Sequence, residues 1–319
     1  MYPFLGRFRC GSAPTERRNR LNEPTKTIAA IGCSGRVAEI FVRGLLAEGV
    51  RVRLLARDAE TLAHRYPEAT IIAGSMMNPN DVACAVDGAD AAFFLTPIAQ
   101  RNDPATESNA ANAVISGVRT AELEHLIYTS ALGAGRNSGV GLLDAKYEVE
   151  QRLASSGIGY SVLRCGSYME DVFDPRLDLL ARGRFLLPIN KSRRISYVSQ
   201  KDVAPFIVHE LVGKGRMLNG VIDFVEPRSY AVHEVERLLT AAAGRTVAVP
   251  PRFPFYYLSL AALPFFRWRG HRLSSIIPLV RHWDTHGSTA SDNTVAVYSP
   301  SFRMTTLDEH LAGLFQRPR

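Results

Sequence analysis

Residues 27–41 read Thr-Ile-Ala-Ala-Ile-Gly-Cys-Ser-Gly-Arg-Val-Ala-Glu-Ile-Phe, and this stretch decides the fold. Five mostly apolar residues run into a turn of small residues, and an amphipathic helical pattern follows. This order predicts a buried strand that leads through a glycine turn to a helix N-terminus, where the pyrophosphate of a dinucleotide can bind. Gly32 permits the tight turn, Gly35 lets the backbone approach the pyrophosphate, and Ala38 is small enough for close packing of the helix on the strand.

The residues that follow complete a βαβ unit. After Gly49, the segment Val50–Ala56 has the character of a second buried strand, and it ends at the charged pair Arg57 and Asp58. A glycine-x-x-glycine-x-x-alanine string alone also occurs in ordinary turns, but a second strand at this distance favours a nucleotide site. The segment therefore predicts a dinucleotide-binding domain.

Arg57 stands at the strand end where a carboxylate usually binds the free 2′-hydroxyl of an NAD ribose. A guanidinium there suits a 2′-phosphate, and Arg36 could complete the clamp from the other side. These residues predict NADP(H) in preference to NAD(H) as the cofactor. Two alternatives stay open, because Asp58 could serve an NAD ribose and both arginines could be solvated surface residues.

The composition limits the class of protein. The chain has 319 residues, of which 46% are hydrophobic, enough for one elaborated domain or two lobes. The net charge is +7, but six basic and two acidic side chains in the first 26 residues supply +4 of it. The near balance elsewhere argues against a nucleic-acid surface. The cysteines are Cys10, Cys33, Cys84 and Cys165. Their spacing predicts reduced intracellular thiols and no metal site.

Residues 1–25 are predicted to form a disordered basic extension. They have no long apolar core, so neither a secretory signal nor a membrane anchor is expected, although their arginines leave a transit peptide open. We expect a cytoplasmic protein that is a monomer or a homodimer.

Strand-like and helical segments alternate from Thr27 to Gly166 at intervals typical of an α/β fold with a doubly wound parallel Rossmann sheet. This predicts a nucleotide-binding core at residues 26–166. Residues 167–319 are expected to form mainly a smaller C-terminal substrate lobe, interleaved with the core. The most apolar stretch, residues 253–266, is too short and too rich in proline to span a bilayer. It could be a core helix, a lid over a flat hydrophobic substrate or a membrane-surface helix.

Several short motifs, in a fixed order, resemble one family. They are the glycine turn, Leu55–Asp58, Ile127–Gly133, Lys146–Glu150, Tyr160–Glu170, Lys201–Ala204, Gly220–Pro227 and Phe302–Leu311. From about Thr27 to Leu314 the sequence resembles the NmrA-like branch of the atypical short-chain dehydrogenases/reductases. The resemblance implies a Rossmann core with a small C-terminal lobe. That family includes NADPH-dependent reductases of quinones, dyes and aromatic natural-product intermediates, and also proteins that bind the dinucleotide without known turnover and act as redox sensors.

The resemblance also implies which residues bind the cofactor. They follow the carboxyl ends of successive strands, from the pyrophosphate to the nicotinamide. In chain order they are Gly32, Ser34, Gly35, Arg36, Arg57, Ser75, Met76, Leu95, Thr96, Pro97, Lys146, Cys165, Gly166 and Ser167. Within this set, Arg57 would bind the 2′-phosphate, while Ser75 and Met76 would flank the adenine.

The candidate catalytic residues are Lys146, Ser130 and Tyr168. Ordinary short-chain dehydrogenases place a tyrosine four residues before the lysine, where the cation lowers the tyrosine pKa. Here that position is Leu142, and Tyr147 points about 100° away from Lys146 around the helix. The usual proton donor is therefore missing. Lys146 could hold the nicotinamide ribose or be a solvated lysine, Ser130 could be functional or structural, and Tyr168 could face the substrate or the core.

Two functions fit these residues. The first is an NADPH-dependent oxidoreductase that transfers hydride to a quinone, ketone or other conjugated, natural-product-like substrate. Such an acceptor forms a stabilised oxyanion, so solvent or a weak donor such as Ser130 would suffice, while the cofactor supplies the hydride. The alternative is a non-catalytic, NADP-binding redox sensor that acts by protein–protein interaction. The missing tyrosine fits both functions equally well.

Overall fold

The computed structural model describes the predicted core and parts of the C-terminal region. The described residues are 25–33, 36–96, 104–173, 183–184, 187, 189–216, 218–248, 258, 261–265 and 273–315. The predicted basic extension, apart from Thr25, lies outside them.

A seven-stranded sheet lies at the centre of the fold. In chain order the strands are β1 Thr27–Ile31, β2 Arg51–Ala56, β3 Thr70–Ala73, β4 Ala91–Phe94, β5 His125–Ala131, β6 Gly159–Cys165, β7 Ser167–Tyr168, β8 Arg194–Val198, β9 Gly220–Phe224 and β10 Ser229–Ala231. The central sheet has the order β3-β2-β1-β4-β5-β6-β9, and every pair in it is parallel. The predicted doubly wound Rossmann sheet is confirmed, and the strand order reverses between β1 and β4.

Helices cover both faces of this sheet. The first five are α1 Arg36–Ala47, α2 Ala59–Arg65, α3 Pro79–Val86, α4 Pro104–Thr120 and α5 Gly141–Ala154. Further helices are Met169–Val172, Val232–Ala243, Leu273–His286, Val295–Tyr298 and Leu307–Phe315. Side chains of β1 alternate between two cores, since Ile28 packs on the face that holds Phe41 of α1, and Ala29 packs on the face that holds α3 and α4. Burial on both faces explains why these strands read as continuous apolar runs.

Three elements differ from the sequence-based expectation. The pattern gave no sign of α2, which begins where the Asp58 carboxylate accepts a hydrogen bond from the Thr61 amide at 3.1 Å. The small sheet β10-β8-β7 also went unpredicted in part, because β7 and β10 are too short to show alternation. The helical pattern that the sequence also shows over Lys201–Leu211 is divided in the structure into a 3-10 turn, one α turn ending at Pro205, and a π-helix at Phe206–Gly213. Proline lacks the amide that would continue the α-helical ladder.

The C-terminal region contributes to both sheets. β9 extends the central sheet beside β6, whereas β8 and β10 pack over a third core that includes Tyr197 and Tyr230. The division into two interleaved lobes at residue 166 stays a prediction.

The apolar stretch 253–266 is described only at Leu258 and residues 261–265, which are helical. Leu258 and Phe265 are 62% and 53% exposed, so these two side chains are not part of the described cores. Among the helices in the described ranges, none has the length and apolar character needed to cross a bilayer. The same residues contain no group of three or more His, Cys, Asp or Glu side chains suited to a metal ion.

Candidate functional site

The ends of β1 and β4 meet in the tightest backbone contact of the predicted site. Gly32 has φ +82°, and a Cβ at this position would lie 1.7 Å from the Leu95 carbonyl oxygen. The Leu95 amide donates to the Ile31 carbonyl at 3.0 Å, and the Met76 sulfur lies 3.6 Å from the same Cβ position. The structure therefore brings Gly32, Met76 and Leu95 together at the point where the strand order reverses, the position at which open α/β sheets bind ligands.

The carboxyl end of β2 presents a cation to solvent. Arg57 is exposed, and no hydrogen bond or ion pair engages its guanidinium within the described part of the chain. The adjacent Asp58 is occupied, because it caps α2 through Thr61. The hydrogen bonds from Thr61 lower the pKa of the Asp58 carboxyl. At this strand end both side chains are exposed, and one carboxylate oxygen of Asp58 is engaged in the helix cap.

Ser75 lies in the turn between β3 and α3. Its amide donates to the Asp81 carboxylate at 2.9 Å, and its hydroxyl accepts from the Met77 amide at 3.2 Å. These bonds hold the turn so that the intervening Met76 side chain lies beside Gly32. That Ser75 and Met76 flank the adenine stays a prediction.

Lys146 is buried rather than solvated. It is 2% exposed, and its ammonium lies among four oxygen atoms contributed by α4, by β5 and by the segment after β4. The acceptors are Glu107 Oε1 at 3.0 Å, the Thr129 carbonyl at 3.2 Å, and Thr96 Oγ1 and the Tyr128 hydroxyl at 3.3 Å each. An ammonium has three N–H donors, so this set already uses its full capacity. We name Thr96, Glu107, Tyr128 and Lys146 the lysine cluster.

Glu107 is the anion of the lysine cluster. Its Oε1 accepts hydrogen bonds from the Thr96 hydroxyl and, at 2.6 Å, from the Tyr128 hydroxyl, in addition to Lys146. Burial raises the pKa of Glu107, but the charge of Lys146 and these hydrogen bonds outweigh it and leave the pKa below its ordinary value. Burial and the charge of Glu107 raise the pKa of Tyr128 well above its ordinary value. The cluster therefore holds an ionised carboxylate and a neutral phenol at neutral pH.

Ser130 belongs to a second buried group. Its hydroxyl donates to Glu150 Oε1 at 2.6 Å. Arg164 binds the same carboxylate with two bonds, Nε to Oε1 at 2.9 Å and Nη2 to Oε2 at 2.6 Å. Glu150 is 2% exposed, so the ion pair is a bidentate, largely desolvated one. The Ser130 oxygen is thus held within the α5–β5 interface.

Tyr168 and Cys165 contact each other beyond the end of β6. Burial raises the pKa of the Cys165 thiol to about 11, and the thiol donates to the Leu163 carbonyl at 3.7 Å. Burial also raises the pKa of Tyr168 well above its ordinary value. Its ring packs edge-on against Phe41 of α1 at 6.1 Å. Both groups are therefore protonated at neutral pH.

Gly166 and Ser167 connect the two sheets. A Cβ at Gly166 would lie 2.7 Å from the Ser196 carbonyl oxygen, which explains the glycine. Among the described residues, neither the buried Ser167 hydroxyl nor the buried Thr129 hydroxyl of β5 has a hydrogen-bond partner. Orphaned buried hydroxyls are uncommon, and a polar ligand group at this edge would satisfy them.

Other predicted site residues lie outside the described ones. They are Ser34, Gly35, the side chain of Arg36, and Pro97. The sequence reasoning also missed Glu107, Tyr128, Glu150 and Arg164 as members of the buried ion pairs. Glu107 carried one signal, because it is the only acidic residue in the whole of α4.

The described residues fit a dinucleotide with a 2′-phosphate. Gly32 at the β1–β4 contact allows close backbone approach, and the N-terminal end of α1 beyond it supplies a helix dipole. The Arg57 guanidinium after β2, which has no partner in the described part of the chain, supplies a counter-charge.

Comparisons with known proteins agree with this site. A family model for NAD(P)H-binding proteins matches residues 32–212, more than half of the chain. NAD(P)H azoreductase from Xenophilus azovorans is 24% identical over 221 residues, which cover 69% of this chain and 75% of the azoreductase. Photosystem II assembly factor Ycf39 from Cyanophora paradoxa is 27% identical over 250 residues, covering 76% of this chain and 77% of that factor.

Solved structures show the same fold. The NADPH-dependent quinone oxidoreductase from Escherichia coli, complexed with NADPH, superposes with a TM-score of 0.72 at 20% identity, covering 91% of this chain and 100% of that one. At this identity the likeness concerns the fold alone. Together with the family match and the strand-end geometry, it leads to one conclusion: the chain belongs to the NAD(P)H-binding family.

Proposed function

We propose that the protein is an NADPH-dependent oxidoreductase that reduces a quinone, ketone or other conjugated aromatic substrate. The observation that carries this proposal is the Gly32–Leu95 backbone contact together with the exposed Arg57 at the next strand end, which has no partner among the described residues. The azoreductase and the quinone oxidoreductase among the similar proteins support a reductase of electron-poor aromatic compounds.

The chain's own residues would bind and orient the cofactor. Gly32 has no side chain, so the backbone of the turn could approach the pyrophosphate closely. Arg57 would neutralise the 2′-phosphate. The orphaned hydroxyl of Ser167 is available to a polar group at the nicotinamide end. The bound dinucleotide supplies the hydride.

Proton delivery is the weaker part of the arrangement. Tyr168 stays protonated at neutral pH, so it can donate a hydrogen bond to a developing oxyanion but cannot act as a base. Ser130 is tied to Glu150, and Lys146 to its four acceptors. A substrate whose oxyanion is stabilised by conjugation suits such a site, because it needs no strong donor.

A second function rests on the same observation. Because Lys146 and Ser130 are engaged in internal hydrogen bonds, the protein could bind NADP without turnover and act as a redox-sensing regulator through protein–protein contacts. The Ycf39 assembly factor is a relative whose name describes a role in assembly.

The finer assignments belong to this proposal. They are membership of the NmrA-like branch, preference for NADP(H) over NAD(H), the catalytic and cofactor roles of individual residues, the lobe boundary at residue 166, a cytoplasmic location and a monomer or homodimer. The resemblance of the motifs between Thr27 and Leu314 supports the branch, and the free Arg57 supports the cofactor preference.

One experiment separates the two functions. NADPH is titrated into the protein to measure its Kd, and its absorbance is then followed with a panel of quinones, azo dyes and aromatic ketones. Oxidation of NADPH that depends on protein and acceptor supports the enzyme. Tight binding with no oxidation by any acceptor supports the regulator. Failure to bind NADPH would overturn both.

A further inference from the structure

The lysine cluster joins four parts of the chain at one oxygen atom. Glu107 Oε1, in the first turn of α4, accepts from Thr96 after β4, from Tyr128 of β5 and from Lys146 of α5. Each of the four side chains is less than 9% exposed. The Thr96–Glu107 bond ties the end of β4 to the beginning of the helix that follows it.

Stability alone does not explain such a cluster. Removing two charges from water costs several kcal/mol per ion, and their attraction repays this only with good geometry and further hydrogen bonds. Buried pairs of this kind are often replaced by apolar residues without loss of stability. A role in fixing positions is the better-founded reason for the pair.

The position that the cluster fixes is next to the dinucleotide turn. Thr96 directly follows Leu95, whose carbonyl oxygen lies where a Cβ of Gly32 would stand. The Leu95 amide is held by the Ile31 carbonyl at 3.0 Å. The Leu95–Thr96 segment is therefore anchored on one side by β1 and on the other by Glu107 and Lys146. A shift of Thr96 would move the Leu95 carbonyl against Gly32 and change the space at the strand-order reversal.

We propose that Glu107 is a positioning residue for the cofactor, which acts through Thr96 and Leu95 on the Gly32 turn. Lys146 shares this role: its three N–H donors already face four acceptors, so it acts through Thr96 and the Thr129 carbonyl rather than by contact with the nicotinamide ribose. This inference rests on the proposed binding of NADP(H).

The test compares two buried carboxylates in the full-length protein. Glu107→Gln keeps the side-chain shape but removes the charge that holds Thr96 and Lys146. The control is Glu210→Gln, since Glu210 is also buried and paired, with Lys214 at 2.6 Å and with Ser299, but it has no contact with the lysine cluster. The NADPH Kd is measured by fluorescence at a temperature well below the unfolding transition of every variant.

We expect Glu107→Gln to raise the NADPH Kd by about tenfold, a typical effect of losing a hydrogen bond to a charged group. Glu210→Gln should lower the unfolding temperature but leave the Kd within about twofold, as expected for a remote site. An unchanged Kd in Glu107→Gln, with wild type binding NADPH, would overturn the positioning role. Wild type that does not bind NADPH would instead overturn the proposed function.

A double variant distinguishes positioning from simple stabilisation. Glu107→Gln with Lys146→Met removes the unpaired buried charge, so its unfolding temperature should rise above that of Glu107→Gln. If Glu107 positions Thr96, the NADPH Kd of the double variant stays raised. Recovery of the Kd together with stability would assign the cluster a purely structural role. Should Glu107→Gln not fold, Tyr128→Phe, which removes one donor to Glu107, is expected to raise the Kd about threefold, and no change would contradict the proposal.

Discussion

The two ends of the predicted cofactor site differ in how many of their polar groups are free. At the ends of β1 and β2, Gly32 has no Cβ to collide with the Leu95 carbonyl oxygen, and Arg57 faces solvent without a partner in the described chain. At β5 and α5, Ser130 donates to the buried Glu150 carboxylate, and Lys146 lies among four acceptors that include the buried Glu107 carboxylate. The open end has the properties of a binding site, whereas the closed end has those of a rigid support. The difference teaches that cofactor binding and catalysis rest on separate features of this chain.

The largest effect is expected at the open end, from Gly32→Ala. The new Cβ would collide with the Leu95 carbonyl, at a φ that L-residues rarely adopt, so we expect a loss of about 3 kcal/mol or more in the free energy of unfolding and no measurable NADPH binding. Urea unfolding and NADPH titration measure both quantities.

The control for this change is Gly49→Ala. Gly49 also has a positive φ of +74°, but a Cβ there would meet nothing within 4 Å. It should cost only about 1 kcal/mol and leave the NADPH Kd unchanged. Equal effects of the two variants on binding would show that the β1–β4 contact is not part of the cofactor site.

The next effect concerns Glu226, a buried carboxylate beside the small sheet and outside both ends of the predicted cofactor site. Burial raises the pKa of Glu226 to about 7, even though the Tyr230 hydroxyl donates to it at 3.0 Å. A carboxyl whose pKa is higher in the folded than in the unfolded state favours folding in its protonated form. Its contribution is therefore complete below about pH 4.5 and is lost as the pH rises to about 7.

We expect the unfolding free energy of wild type to fall by up to about 3 kcal/mol between these pH values from this group alone. Glu226→Gln, which cannot ionise, should remove that part of the pH dependence. Urea unfolding at pH 5 and pH 7.5 measures it, and an identical pH dependence in both proteins would contradict the assignment.

A smaller effect is expected at the open end from Arg57→Ala. Loss of the guanidinium should raise the NADPH Kd by about tenfold or more and change the NADH Kd by less than about twofold, because only NADPH has the 2′-phosphate. Arg303→Ala is the matched control, since Arg303 is also exposed and lies near the C-terminus. Equal changes for NADPH and NADH would refute the phosphate contact.

The smallest effect is expected from Ser130→Ala at the closed end. The Glu150 carboxylate keeps both bonds from Arg164, so the loss of stability should be about 1 kcal/mol. Turnover with a quinone should change less than about threefold, because such an acceptor needs no strong proton donor. A fall in turnover of a hundredfold or more would show that Ser130 is a proton donor, and it would contradict the difference proposed between the two ends.

The sequence predicts the central sheet well, and for a physical reason. Strands of a parallel sheet are buried on both faces, so segments such as Ala91–Phe94 read as short apolar runs between helical patterns. The strands β7 and β10 have two and three residues, too few for a periodic pattern to appear. Their pairing with β8 depends on contacts between distant segments.

In the candidate site, too, some residues can be predicted from the sequence and others cannot. Gly32 and Arg57 can be predicted from the sequence because each depends on local structure. Gly32 has a positive φ, and Arg57 directly follows a strand. The lysine cluster is not readable, because Glu107 and Lys146 are 39 residues apart and meet only when α4 and α5 pack side by side. Spacing along the chain says nothing about which acid a buried lysine will meet.

A crystal structure with NADP⁺ bound is the most direct measurement of the central claim. The account predicts the pyrophosphate over the turn that begins at Gly32, and the 2′-phosphate within hydrogen-bonding distance of the Arg57 guanidinium. A dinucleotide bound at another edge of the sheet, or a 2′-phosphate that turns away from Arg57, would contradict it.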